Sequence, residues 1–285
     1  MPLPRLLKHP RAVRWAVRLD MAPTALWPAL LALALWPCWW WMTQRLLDGS
    51  DDPLGLLAVA ALAVVVFTHR KRLRASPRLG WLAAALVGTV WVTALSGPLL
   101  GQLPALLVGL LGVLSLAACG VAFLPLGVAS GPVLGLAVLS LPLLASLQFY
   151  LGYPLRVLTA QVSGWLLQSH FNVERAGASL RVNDQLILVD APCSGVQMVW
   201  LGYFSACVVA LYAGRSNRAF FSHLPAVGAL VLLGNVLRNT LLVAFEAAGQ
   251  GLRGGWHDLL GLLVLALVCG GVAVCMAHAE KAGHV

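Results

Sequence analysis

Residues 103–124 read LPALLVGLLGVLSLAACGVAFL, a stretch without a single charged side chain. At about 1.5 Å of rise per residue such a helix crosses a hydrocarbon core about 30 Å thick. The rest of the chain agrees. Of its 285 residues 60% are hydrophobic and only 10% charged, where an ordinary soluble domain carries roughly a quarter. So few charged residues cannot clothe a core of this size in water, which excludes a soluble globule. The expected class is an all-α polytopic membrane protein of about eight transmembrane helices, with a small extracytoplasmic amphipathic helix and β-hairpin inserted.

Outward from this stretch the charges lie in short clusters between apolar runs. Arg5, Lys8, Arg11, Arg14 and Arg18 precede a first run over 22–42 that is too long for a cleaved signal peptide. Trp36, Trp39, Trp40 and Trp41 form an aromatic belt at its far end. Asp48, Asp51 and Asp52 mark an outer loop, and 54–67 returns the chain to Arg70, Lys71, Arg72, Arg74 and Arg78. Spans are then expected over 80–100, 103–124, 132–148, 194–213, 220–245 and 258–276. Pro98, Pro104, Pro125 and Pro142 are placed to end or kink helices.

Between 149 and 192 the composition turns polar. The helical spacing over 154–170 predicts an amphipathic helix on the membrane surface. The stretch 178–189 predicts two strands turning at Asn183-Asp184. The resulting organisation is a basic cytoplasmic N-terminus (1–21), five helices (22–148), an extracytoplasmic segment (149–192), three helices (193–276) and a cytoplasmic tail (277–285). Of the Lys and Arg residues, 13 fall in the inner segments, five in the outer ones and Arg238 within a span, while eight of the ten acidic residues fall outside. The net charge of +9 therefore reports orientation by the positive-inside rule and no affinity for nucleic acid.

Five cysteines (Cys38, Cys119, Cys207, Cys269, Cys275) lie among Ala, Val and Leu, where a thiol packs and stays inert. Their spacing matches neither a zinc site nor a disulfide framework, so no metal and no cofactor is expected. Cys193 differs. In Asp190-Ala191-Pro192-Cys193-Ser194-Gly195 it opens a span, where free N–H groups and the helix dipole favour a thiolate. Ser194 is a rival nucleophile, but a hydroxyl needs a dedicated base where a thiol is already partly ionised.

Arg238, in Gly234-Asn235-Val236-Leu237-Arg238-Asn239, is a charge inside an apolar span and hence a functional candidate. From Phe220 it lies about 27 Å along the helix, near the outer interface; snorkelling to headgroups or a clamp with Asn235 would explain it equally well. His257 stands beside Trp256 at the entrance to the last span. Cys193, Arg238 and His257 come from three spans, and the charge-derived topology brings all three to the outer face. A thiolate, an imidazole and a guanidinium form an acyl-transfer set of nucleophile, proton donor and oxyanion stabiliser. Asp190 and Asp258 could orient His257 or Arg238; equally, Asp190 ends a strand and Asp258 caps a helix.

Cys193-Ser194-Gly195 opening a span, Asn235-x-x-Arg238 in the next and His257-Asp258 before the last together resemble the exosortase/archaeosortase family of membrane transpeptidases. The resemblance covers about 149–276. It implies a cysteine protease or transpeptidase at the outer face of a bacterial inner membrane, in a multi-pass chain with both termini cytoplasmic. It further implies membrane-anchored protein substrates that end in a sorting signal: a short motif such as Pro-Glu-Pro, an apolar helix and a basic tail. Such substrates are linked to exopolysaccharide or surface-protein export. Cys193 would be the nucleophile, Arg238 the essential arginine and His257 the third catalytic residue, with His as in the bacterial branch. Val196-Gln197 departs from the Leu-Arg that follows Cys-Ser-Gly in many exosortases. The rival reading is a non-enzymatic transporter or assembly scaffold for exported polymer, which would gather its polar residues near the midplane.

Overall fold

A computed structural model describes residues 25–49, 51–95, 103–183, 185–188, 195–248 and 256–278. Its contacts divide the chain into two compact units, one formed by 1–43 and 63–126, the other by 44–62 and 127–285.

In the first unit, α1 (Leu26–Ala34), α4 (Leu79–Leu95) and α5 (Ala105–Phe123) pack together. Leu31, Leu82, Ala85, Ala118, Cys119, Ala122 and Phe123 form the core. The single run expected over 22–42 is broken at Leu35, where α2 (Trp36–Leu47) begins. Pro37 is the reason: it has no N–H for the carbonyl four residues back, and its ring crowds that turn. α3 (Gly55–His69) follows. The C-terminus of α5 is closed by the loop before α4: the Arg74 and Arg78 backbone N–H groups donate to Phe123 O and Ala122 O at 2.9 Å each. The Arg78 guanidinium donates to Val121 O. A cation placed on the last carbonyls offsets the negative end of the helix.

The second unit carries α6 (Ser130–Leu139), α7 (Leu144–Leu167), three strands and α8 (Val196–Tyr212), α9 (Asn217–Ala247) and α10 (Trp256–His278). The span expected over 132–148 is instead two helices, α6 and α7, bent by 92°. Pro142 lies in the break. α8, α9 and α10 form an antiparallel bundle around Trp200, Val227, Val231, Val268 and Val272. Gly202 and Gly234 let α9 close on its neighbours, since a Cβ at either would meet Val231 or Val268. At one end of the bundle Arg215, only 6% exposed, donates to Ala277 O in the last turn of α10. The Ser216 side chain caps α9 by accepting from Ala219 N.

The expected β-hairpin is a three-stranded antiparallel sheet, β1 (Val173–Ala176), β2 (Ser179–Val182) and β3 (Gln185–Leu188), in the order β1-β2-β3. The expected turn is present, with Val182 paired to Gln185 and Asn183 at a positive φ of 48°. The additional strand arises because Gly177, at φ 64°, makes a second two-residue turn between Ala176 and Ser179. Leu180 and Val182 pack the sheet onto Ala160 and Leu167 of α7 and Val243 of α9.

Eight full spans are not confirmed. Among the described residues three helices are long and apolar enough to cross a membrane (Ala105–Phe123, Asn217–Ala247, Asp258–His278), or four if the bent pair α6 and α7 counts as one; Leu79–Ala94 and Val196–Tyr212 are apolar but shorter. Exposed Leu233, Leu262, Leu263 and Leu267 leave the outside of α9 and α10 apolar, as a lipid-facing surface requires.

Candidate active site

The end of the bundle opposite Arg215 holds the described parts of the sequence motifs: Gly195, Asn235 with Arg238, and the first turns of α10. Gly195 precedes α8 in the left-handed region at φ 84°, ψ 0°, a conformation that disfavours any residue with a Cβ. Space forbids one as well. A Cβ there would lie 2.6 Å from Cγ of Asn235, so the glycine of Cys-Ser-Gly rests directly on the asparagine of Asn-x-x-Arg.

Arg238, three residues further along α9, faces α10. A Cβ on Gly261 would stand 3.2 Å from its Nε and 3.5 Å from its Cζ. The guanidinium thus lies against bare helix backbone. Gly261 is four residues after His257, about one turn further along α10. His257 itself belongs to the first turn of α10. Asp258, exposed in that turn, sits where a carboxylate complements the positive helix end. Cys193, Ser194 and Asp190 lie outside the described residues.

Below the site runs a buried polar seam between α7 and α9. Asn235 Nδ2 donates to Thr159 Oγ1 at 2.9 Å. Asn239 Nδ2 donates to Asn235 O at 2.8 Å and reaches its Oδ1 at 3.3 Å. One turn on, Thr240 Oγ1 lies 3.0 Å from Ser163 Oγ and 2.8 Å from Val236 O. Thr159 and Ser163 are fully buried, and Asn235 and Asn239 are 2% exposed. In an apolar interior each such group must be paired, and here they pair with one another.

The acidic loop before α3 meets the same end. Gln197 Nε2 donates to Asp52 Oδ2 at 3.2 Å. Asp51 accepts from Ala145 N at 3.2 Å and pairs with Arg45 at 3.6 Å. Val196-Gln197, the departure noted in the sequence, therefore begins the helix that Asp52 ties to the loop.

Sequence reasoning did not single out Thr159, Ser163, Thr240, Gly261 or Asp52. The signal for the first three was present: polar residues four apart at 159 and 163 match those at 235, 239 and 240 across two otherwise apolar helices. Among the described residues no three His, Cys, Asp or Glu side chains stand together in a way that would hold a metal ion. The five cysteines expected to pack are free thiols, three of them buried.

Chemically, this end offers a forked cation laid against the Gly261 backbone, one helix turn from the start of α10. Such a fork stabilises a carboxylate or a developing oxyanion far better than it would in water. No curated protein and no solved structure matches the chain. The model of the transmembrane exosortase family matches residues 39–274, which includes all three motifs. With its apolar helices this makes the chain a multi-pass membrane protein. The chain belongs to the transmembrane exosortase family.

Proposed function

We propose that the chain is a cysteine-dependent peptidase or transpeptidase that cuts the C-terminal sorting signal from membrane-anchored exported proteins. In this reading it works at the outer face of a bacterial inner membrane, with both termini cytoplasmic. One observation carries it. Gly195 packs on Asn235 and Arg238 packs on Gly261, so the residue that precedes α8, the Asn-x-x-Arg of α9 and the first turns of α10 meet at one end of one bundle, which supports this reading. Cys193, two residues before Gly195, is tethered within about 7–8 Å of it by the trans-peptide spacing of the chain.

The Cys193 thiolate attacks the scissile carbonyl, forming a C–S bond and a tetrahedral oxyanion. The Arg238 guanidinium donates to that oxyanion. Collapse breaks the C–N bond, and protonated His257 gives its proton to the leaving amine. The thioester is then taken by water, which makes the protein a protease, or by an amine, which makes it a transpeptidase; neutral His257 accepts the proton of either. The transporter reading needs polar groups near the midplane, whereas Asn235, Arg238 and Asn239 sit at the end marked by Gly195 and the start of α10.

The test is processing of a co-expressed reporter that ends in Pro-Glu-Pro, an apolar helix and an Arg-rich tail. Cys193→Ala and Cys193→Ser are both expected to abolish cleavage. Wild-type cleavage in both variants would overturn the assignment.

A further inference from the structure

Asn235 is the joint between the Gly195 turn and α7. Its amide is gripped at both ends, Nδ2 by Thr159 Oγ1 at 2.9 Å and Oδ1 by Asn239 Nδ2 at 3.3 Å. Those two contacts set the plane of the amide, and that plane is what Gly195 rests on, with Cγ, Nδ2 and Oδ1 all within 2.9 Å of where a Cβ on residue 195 would lie. Thr159 is fully buried. Without its hydroxyl the amide loses that acceptor, and the hold on its plane is weakened. The amide could not turn without moving the Gly195 backbone, because no space separates them. Ser163 and Thr240, one turn along, join the same two helices but leave the Asn235 amide untouched. Holding α7 to α9 therefore does not by itself require Thr159.

We infer that Thr159 is a positioning residue for the reaction: through Asn235 it fixes the Gly195 turn, and with it the start of the helix that follows the nucleophile. This rests on the peptidase reading above. The test uses the full chain in detergent and follows N-ethylmaleimide alkylation of Cys193 against pH by peptide mass spectrometry, alongside reporter processing. Thr159→Val should displace the alkylation profile and lower processing at least about fivefold. Thr159→Ser, which keeps the hydroxyl, should stay within about twofold of wild type. Thr240→Val, which disturbs a buried hydrogen bond at the same helix pair, should leave the profile in place, with the unfolding midpoint recorded for every variant. A wild-type profile and wild-type processing in Thr159→Val would overturn the inference. So would equal impairment in Thr159→Ser, or in Thr240→Val. Cys193→Ser run in parallel separates the two ideas. If it still processes the reporter, the peptidase reading falls; if it is inactive while Thr159→Val is normal, only the positioning role falls.

Discussion

The helices α5 and α9 are both long and apolar enough to cross a membrane, yet they treat their polar residues in opposite ways. In α5 the buried Ser115 hydroxyl returns its hydrogen bond to Leu111 O of its own helix at 2.6 Å. Its contact with the neighbouring helix is packing, against Gly88 of α4, where a Cβ would meet its oxygen. In α9 the Asn235 amide reaches α7, and the Arg238 guanidinium lies on the backbone of α10. A polar group satisfied within its own helix is compatible with packing alone. One that spends its hydrogen bonds on other helices holds those helices in a chosen arrangement, which is what a site assembled from three of them needs.

The comparison breaks most visibly at Arg238. Arg238→Ala should lower reporter processing at least about a hundredfold, the usual loss when one oxyanion donor is removed. Arg238→Lys should recover little of it, because a point charge cannot replace the planar fork. Processing within a few-fold of wild type in Arg238→Ala would remove it from the machinery.

The glycine under the cysteine motif comes next. Gly195→Ala meets a left-handed backbone and the Asn235 side chain together. It should cost about 1–2 kcal/mol for the backbone alone and lower processing about tenfold or more. Thermal unfolding in detergent and the processing assay read the two effects separately. Gly261→Ala is subtler, since its methyl would press on Arg238 from 3.2 Å. A drop in processing of several-fold with an unchanged unfolding midpoint is expected, and a stability loss without an activity loss would contradict the placement of the guanidinium. The smallest effect belongs to α5: Ser115→Ala should stay within about 0.5 kcal/mol of wild type and process the reporter normally.

Much of this was legible beforehand. The apolar runs located α3, α4, α5, α8, α9 and α10, and the prolines named as possible breaks include the one in the break between α6 and α7. Three residues proved harder. Thr159 and Ser163 sit in a stretch whose alternation predicts a helix on the membrane surface, but both side chains are buried against α9. Amphipathicity says that one face of a helix is polar; it does not say whether that face meets water or another polar face. Arg215 enters the topology as one of the charges of an inner loop, while the structure shows it nearly buried and donating to the end of α10. A charge count cannot distinguish a solvated cation from one bonded to helix-terminal carbonyls.

The sequence by itself determined that this chain belongs in a membrane, where its apolar runs and charge clusters lie, and which three short motifs resemble those of the family that its model match then shows. Those properties follow from composition and from local spacing. That Gly195 rests on Asn235, that Arg238 lies against Gly261 and that Thr159 holds Asn235 were decided by the tertiary structure alone. Each depends on close approach between helices far apart in the chain, and close approach is set by side-chain volume on both partners at once, which no single stretch of sequence contains.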